Sequence, residues 1–520
     1  MIASRMRAWV CLAASGVVIG FVALRGMTAE PAATEKAGDR YAERKKVDPI
    51  EANGPIFVGW PKPDLALVFS GEQHGYLEPC GCAGLENQKG GLMRRFTLLK
   101  QLRDTGWPLV AMDLGGQVKR AGVQAEMKLD FSYRALAKMD YAAVGFGPED
   151  LRLDMLSVVI NLDEAAEPLV SANVGIAEFD SGFTKRFRIV EAGGLKIGIT
   201  TVLGKKELAR LKSVDDLVLL DPEEALSQVL PELRKAGCDH LVLLPNADPE
   251  EAKELARRFP EFDWVVTAHG ADEPPKEPAK IEGTNARWIE VGKMGMYVVV
   301  VGLYKDGSPS IRYQRVPLDH RFADAPEIHA MHVAYQQQLK ELGWENLGLK
   351  SSPHPTGRKF AGSKACADCH LSATDVYENT PHFHATDTLV HLDPPRQFDP
   401  ECVSCHATGW EPQKYFPFES GFLGLDQTPD LVGNGCENCH GPAARHVAAE
   451  NGEIEATEEE MEELRAALRL KVIENEGNKP GQEFQKGKVV QMCMQCHDLD
   501  NSPDFDFQVY WPKVAHEGKD

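Results

Sequence analysis

Basic charge is in short supply in this chain. Its 520 residues carry 57 Lys and Arg against 78 Asp and Glu, a formal net charge of −21. A nucleic-acid partner would need clustered cations to meet phosphate, so that class is excluded. The balance suits a soluble protein and would attract basic partners. Compositional bias is missing too: 43% hydrophobic and 26% charged residues are globular values, which rules out collagen-like and disordered chains. A chain of this length outgrows one ordinary core, so two or three domains are expected.

The apolar run Ala8–Leu24, AWVCLAASGVVIGFVAL, follows Arg5 and Arg7 and leads to small residues around Thr28 and Ala29. It reads as an export signal over residues 1–29. The run also reaches the lower limit of a membrane span and no A-x-A site follows, so an uncleaved anchor that tethers the chain is the alternative. Either reading places the remainder outside the cytoplasm, in the periplasm of a bacterium. Cys11 lies within the run without a lipobox-like context.

Residues 30–62 are rich in Ala, Glu, Lys and Pro and read as a linker. From Leu65 short apolar runs of strand type alternate with helical patterns. LALVFS, PLVAMDL, YAAVGF, PLVSANV, KIGITTVL, DHLVLLP and DWVVTAHG are the strands. GLMRRFTLLKQLRDTG, DPEEALSQVLPELRKAG and DPEEAKELARRF are helices, the last two with an Asp cap, Pro at the first position and acids in the first turn. A further helix is expected from about Ala325 to Leu342. The alternation predicts an α/β layered domain over 63–345. GLKSSPHPTGRKFAGS then marks a linker at 346–362 and a domain boundary. Beyond it, over 363–520, long apolar runs disappear while cysteine and histidine become dense. One acidic amphipathic helix is expected at about Ala456–Asn475. An ordinary side-chain core is lacking there, so something else must supply one.

Eight of the twelve cysteines fall in four copies of one pattern, C-x-x-C-H: Cys366–Cys369–His370, Cys402–Cys405–His406, Cys436–Cys439–His440 and Cys493–Cys496–His497. The pattern matches covalent c-type haem attachment, with two thioethers to the haem vinyls and the adjacent histidine as proximal iron ligand. Paired C-x-x-C can also build zinc sites, but zinc does not require a histidine after every second cysteine, and here it stands there each time. Disulfides are the other alternative in an oxidising compartment. Four haems would replace the missing core, and the apo segment should be largely unfolded. Residues 364–520 hold nine histidines. Besides the four proximal ones, His382, His384, His391, His446 and His516 are candidate distal ligands, enough for bis-histidine, low-spin haems; Met492 and Met494 are weaker candidates.

The segments CADCH…YENTPHFHATDTL (366–389), CVSCHATGW (402–410), GCENCHGPAARHV (435–447) and CMQCHDLDNSPDFDFQVYW (493–511) resemble the bacterial tetrahaem cytochromes of the c-554 (c-552/c-554) type. The resemblance implies a mostly α domain of closely packed haems that pass electrons. It implies distal histidines borrowed from other repeats: His382 (His384 its rival), His446 and His516. In that family one haem can lack a sixth ligand.

Residues 65–305 resemble the metallophosphoesterase/5'-nucleotidase superfamily, which includes the periplasmic thiosulfohydrolase of sulfur oxidation. The landmarks are LVFSGEQHG (67–75), VAMDLGG (110–116), MDYAAVGFGPEDL (139–151), SANV (171–174), DWVVTAHG (263–270) and VGKMGMYVVVVGL (291–303). The family holds two metals that activate water and clamp the leaving oxygen. This sequence departs at nearly every implied ligand. Glu72 stands for the first Asp, followed by His74; the bridging Asp is Gly116, although Asp113 persists. Phe146–Gly147 replace Asn-His, Pro245–Asn246 replace the next Ser-His, and only His269 survives of the last pair. Glu72, His74 and His269 can hold one non-haem metal at most, so a non-hydrolytic scaffold is expected.

Cys80 and Cys82 follow the first strand, where the family's site opens, and Cys238 is the remaining cysteine. A disulfide to Cys238, a Cys/His metal site with His74 or His269, and a redox or sulfur-handling thiol all stay open. Arg94 and Arg95 can stabilise a thiolate or anion, though such arginines more often face solvent.

The favoured reading is an exported multihaem cytochrome that relays electrons between protein partners, with the α/β domain binding a partner, metal or small anion. The first alternative is a haem-dependent oxidoreductase acting on a small nitrogen or sulfur compound at an open haem or at Cys80/Cys82. The second is a metal-dependent hydrolase fused to a cytochrome.

Overall fold

The computed structural model describes residues 48–79, 88–179, 182–211, 214–470, 488–498, 501–502 and 505–516. The expected export signal or anchor and most of the first linker lie outside them, as do Cys80 and Cys82. Among the described residues no helix is long and apolar enough to cross a membrane.

In chain order the strands of the first domain are Leu65–Ser70 (β1), Leu109–Asp113 (β2), Tyr141–Val144 (β3), Val174–Ile176 (β4), Arg188–Ala192 (β5), Leu195–Leu203 (β6), Leu217–Leu219 (β7), His240–Asn246 (β8), Trp264–Thr267 (β9), Ala279–Lys280 (β10), Arg287–Glu290 (β11), Tyr297–Leu303 (β12) and Ile311–Pro317 (β13). One sheet runs β13-β12-β1-β2-β3 and a second β10-β11-β9-β8-β6-β5. The β1–β2–β3 and β6–β8–β9–β11 neighbours are parallel. The main helices are Leu92–Asp104 (α1), Val123–Lys138 (α2), Pro222–Lys235 (α3), Pro249–Arg258 (α4) and Pro326–Asn346 (α5).

The period-two alternation of side chains in a strand explains how two sheets and two helix layers stack. From β1, Leu65, Leu67 and Phe69 enter a core between the sheets, together with Ile197, Ile199, Val242, Leu244 and Val266 of the second sheet. Ala66 and Val68 point the other way, onto Leu98, Leu99, Leu129, Leu136 and Ile328 of α1, α2 and α5. Leu243 and Val265 meet Leu226, Leu233 and Leu255 of α3 and α4. Strands buried on both faces read as unbroken apolar runs, and this is why the sequence showed runs and not alternation.

The expected caps form. Asp221 accepts from the Glu223 and Glu224 amides, and Asp248 from the Glu250 amide, each with Pro at the helix start. PLVSANV is corrected: Leu169 and Val170 make single bridges to Val144 and Lys185, and regular pairing begins only at Val174. The helix expected to end at Leu342 breaks at Gly343 (φ 65°) and resumes to Asn346. The acidic helix is shorter than expected, Glu458–Ala466. It starts at a Thr457/Glu460 capping box, and residues 471–475 lie outside the described residues.

After residue 362 the helices are short, nine residues at most among those described. Two small clusters replace a core: Leu389, Val403, Ala407, Trp410, Phe422 and Leu431, and then Val489, Val490, Phe505 and Phe507. Trp344 of α5 and Leu349 and Phe360 of the intervening stretch pack on the first of them.

Candidate functional site

Each C-x-x-C-H motif closes one helical turn. Cys402–His406 and Cys436–His440 lie in helices, and the His370 and His497 amides donate to the Cys366 and Cys493 carbonyls, both at 2.9 Å. Positions i, i+3 and i+4 share a helix face, so both thiols and the imidazole point the same way. Three of the four histidines have Nδ1 engaged. His406 meets the Ala385 carbonyl at 2.8 Å, His440 the Leu468 carbonyl at 2.7 Å and His497 the Ser502 hydroxyl at 3.2 Å. A held Nδ1 fixes the ring and leaves Nε2 for a metal.

Cross-repeat pairs follow. His382 faces His497 with ring centroids 6.0 Å apart, and His516 faces His440 at 5.7 Å. Two imidazoles sharing one metal, with metal–nitrogen bonds of about 2.0–2.1 Å, place their centroids roughly 6 Å apart, so these donors fit an iron between them. His446 lies near His370, whose charge bears on it. Its buried Nδ1 has no hydrogen-bond partner among the described residues, with the Glu450 carboxylate 3.7 Å away. His391 is exposed and bonds the Asp387 carbonyl at 2.8 Å, the bonding of a surface residue. His384 precedes the helix Ala385–His391 and sets its ring edge-on to Phe383.

The thiols also meet across repeats. Cys366 and Cys436 are within hydrogen-bond reach of each other, as are Cys405 and Cys496, and Cys439 lies near Cys493. The first anchor therefore adjoins the third, the third the fourth, and the fourth the second.

In the α/β domain the candidate residues gather at the carboxyl ends of the parallel strands, the place where such sheets build sites. Glu72 and His74, both in left-handed backbone (φ 51° and 53°), follow β1. Glu72 Oε2 lies 2.7 Å from His74 Nε2. Its Oε1 accepts from Asn246 Nδ2 at 3.3 Å, and His269 Nε2 lies 2.7 Å from Asn246 Oδ1. The result is a chain of four hydrogen-bonded side chains, with Asn246 standing between Glu72 and His269.

Two metals do not fit these residues. A Cβ on Gly116, at the position of the family's bridging Asp, would lie 2.4 Å from Glu72 Oε1, so the Glu72 carboxylate fills the bridging place. Asp113, fully buried, is already taken up by the Ser70 hydroxyl at 2.6 Å, Gln117 at 2.7 Å, the Gly115 amide at 2.9 Å and Arg95 at 3.3 Å. Among the described residues no group of three His, Cys, Asp or Glu is arranged to hold a metal ion. Asp150, pushed up to about 7 by burial, is held by the Gly116, Gly147 and Val118 amides.

Arg94 and Arg95 do not face solvent; both are buried. Arg94 donates to the Gln88 and Leu318 carbonyls, and Arg95 reaches Gln73 at 2.6 Å as well as Asp113. A guanidinium thus supplies positive charge beside Asp113. Replacing Arg95 with Met should cost roughly 3–5 kcal/mol in denaturant unfolding, the usual result of stranding one partner of a buried pair. A loss below about 1 kcal/mol would show that the pair does not matter. Cys238 is a free thiol, half-buried beside Gly198, and burial pushes it up. Its candidate disulfide partners, Cys80 and Cys82, lie outside the described residues.

These features define a two-domain chain: a layered α/β domain whose strand-end site is closed on itself, followed by a helical cytochrome c domain. Residues 365–441 match the family model "Cytochrome c554 and c-prime", a span that includes three of the four motifs. Cytochrome c-554 of Nitrosomonas europaea is 32% identical over 96 residues, 16% of this chain and 38% of that protein. The 5'-nucleotidase of Vibrio cholerae is 24% identical over 249 residues, 42% of each chain. A solved 5'-nucleotidase precursor from Thermus thermophilus aligns with a TM-score of 0.47 and 17% identity, covering 71% of this chain and 73% of that one. The chain spans about half or less of the length of the curated relatives it matches.

Proposed function

We propose that the chain is an extracytoplasmic electron-relay protein carrying four covalent c-type haems, with a non-hydrolytic α/β domain docked against them. The observation that carries this reading is the pairing of rings from different repeats at the span of a shared metal: His382 with His497 and His440 with His516. The eight motif cysteines hold the haems, His370, His406, His440 and His497 ligate from the proximal side, and His382, His516 and His446 from the distal side. Bound there, the haems would supply reversible one-electron iron couples. The Ala385 and Leu468 carbonyls hold the proximal rings of His406 and His440 in orientation. Adjacent anchors order the relay as first, third, fourth and second repeat. The acidic surface favours a basic redox partner.

Pyridine haemochrome and intact mass of the exported protein test the reading, with four haems per chain expected. Fewer than four would sink it. The α/β domain should show no turnover of phosphomonoesters or of thiosulfate conjugates with manganese added. Turnover above background would restore the hydrolase reading, because the Glu72–Asn246 contact would then have to open to admit metal.

A further inference from the structure

The α/β domain takes hold of the second C-x-x-C-H motif. The helix that carries it, Pro400–His406, is capped by Asp399, which accepts from the Glu401 amide at 3.0 Å. Gln124 of α2 donates to one Asp399 oxygen at 2.8 Å, and Gln336 of α5 donates to the other at 3.1 Å. Lys128 of α2 donates to Glu401 at 2.7 Å, and Arg120 lies 3.4 Å from the same carboxylate. Positions four apart on a helix share a face, so Gln124 and Lys128 meet the start of the motif helix side by side. The Arg120 guanidinium sits 3.6 Å over the Tyr415 ring, and Tyr415 lies near Cys405.

The ion pair is placed to act on the anchor beside it. Glu401 immediately precedes Cys402, and Lys128 is close enough to Cys402 for charge on one to bear on the other. Lys128 is buried. Burial works against its charge, but Glu401 and Asp399 outweigh that and hold the group above the ordinary lysine value. A charge fixed in such surroundings is screened far less than one in water, so its field reaches its neighbours. Clamping the domains together needs no ammonium here. The Gln124 and Gln336 hydrogen bonds and the packing of Trp344 on the Val403 cluster already join them.

We infer that the α/β domain sets the redox potential of the haem at Cys402 and Cys405, with Lys128 holding that potential up against the Glu401 carboxylate. The inference rests on the haem-relay reading and gives the α/β domain a task that needs no hydrolysis. Its sign follows from charge: a cation near the iron favours the reduced state, and an anion favours the oxidised one. Lys128 neutralises Glu401, and without it a bare negative charge stands next to the anchor. The second repeat ends the order of adjacent anchors, so the domain governs the last step of the relay.

The test is spectroelectrochemical titration of the haem-loaded full chain at constant pH and ionic strength. Lys128→Met should lower one midpoint potential of the four, and Glu401→Gln should raise that same one. Both changes break the same ion pair, so damage to the interface would move the potential in one direction in both. Opposite shifts report charge. Lys128→Arg should restore the parent value, and Lys128→Met combined with Glu401→Gln should fall between the two single variants. Arg120 is two-fifths exposed, so Arg120→Gln should keep the fold, and it should lower the same potential by less. With Cys402 and Cys405 replaced by Ala, Lys128→Met should move none of the remaining potentials. Shifts of one sign in Lys128→Met and Glu401→Gln would overturn the inference, as would a shift shared by all the haems. So would an unmoved potential in Lys128→Met or, where that variant does not fold, in Arg120→Gln. Haem count is read on the same samples: fewer than four haems would sink the relay, whereas four haems whose potentials ignore Lys128 would sink the tuning alone.

Discussion

Produced without haem attachment, the chain should keep a folded α/β domain and lose the structure of residues 363–516. The α/β domain holds three extensive apolar cores, on both faces of both sheets. The segment after residue 362 buries two small clusters, six residues around Val403 and four around Val490. Burying an aliphatic side chain stabilises by about 1.5–3 kcal/mol, while ordering each residue costs about 1–2 kcal/mol. The fourteen apolar side chains buried among the described residues after residue 362 cannot hold a segment of this length. Macrocycles bound to the cysteines would supply the missing apolar surface, and binding would become folding, as in small metal domains. Limited proteolysis of the apo protein should leave a fragment ending near α5 and digest the rest, with loss of helical circular dichroism. The haem-loaded protein should resist under the same conditions. An apo segment as resistant as the loaded one would show that its side chains suffice. Trp344 supplies a local reporter: it contacts Trp410 edge-on at 4.8 Å and donates to the Phe398 carbonyl at 2.9 Å. Its fluorescence should therefore change when the cytochrome segment unfolds.

The two domains were legible in the sequence to different depths. The alternation of apolar runs and Asp-Pro-capped helices led directly to the layered α/β domain, because local propensity and burial agree there. What the sequence hid was partnership. Arg95 was expected to face solvent, yet from α1 its charge is directed at Asp113 at the end of β2. The loss of Asp at position 116 was visible, but not that Glu72, one methylene longer than the Asp it replaces, fills the vacated place. In the second domain the four C-x-x-C-H repeats stood out through spacing alone. Which histidine rings of different repeats meet was out of reach, because it depends on how loops far apart in sequence return to one another. His391 shows the same limit from the other side: residue type and spacing alone leave it a candidate beside His382, and its exposure and its bond to the Asp387 carbonyl set it apart.

Replacing one distal histidine should alter a haem anchored in another repeat. His382→Ala is expected to act on the haem held by Cys493 and Cys496, since the His382 ring faces His497 and not the motif nearest it in sequence. His516→Ala should act on the haem at Cys436 and Cys439, and His446→Ala on the one at Cys366 and Cys369. In each case one of four haems should pass from low spin to high spin, seen as a new high-spin ferric signal in electron paramagnetic resonance. A methionine in place of His516 should raise the potential of that haem, because a thioether is the ligand that favours the reduced iron. The assignment is settled by combination. In a chain whose Cys493 and Cys496 are replaced by Ala, the fourth haem is already absent, and adding His382→Ala should then produce no further spectral change. The same histidine change in a chain lacking Cys366 and Cys369 should retain its full effect, which is the additivity expected of independent sites. If His382→Ala instead disturbs only the haem at Cys402 and Cys405, the ring pairing at His497 is not a ligand pair. The order of the relay would then have to be drawn from the cysteine neighbours alone.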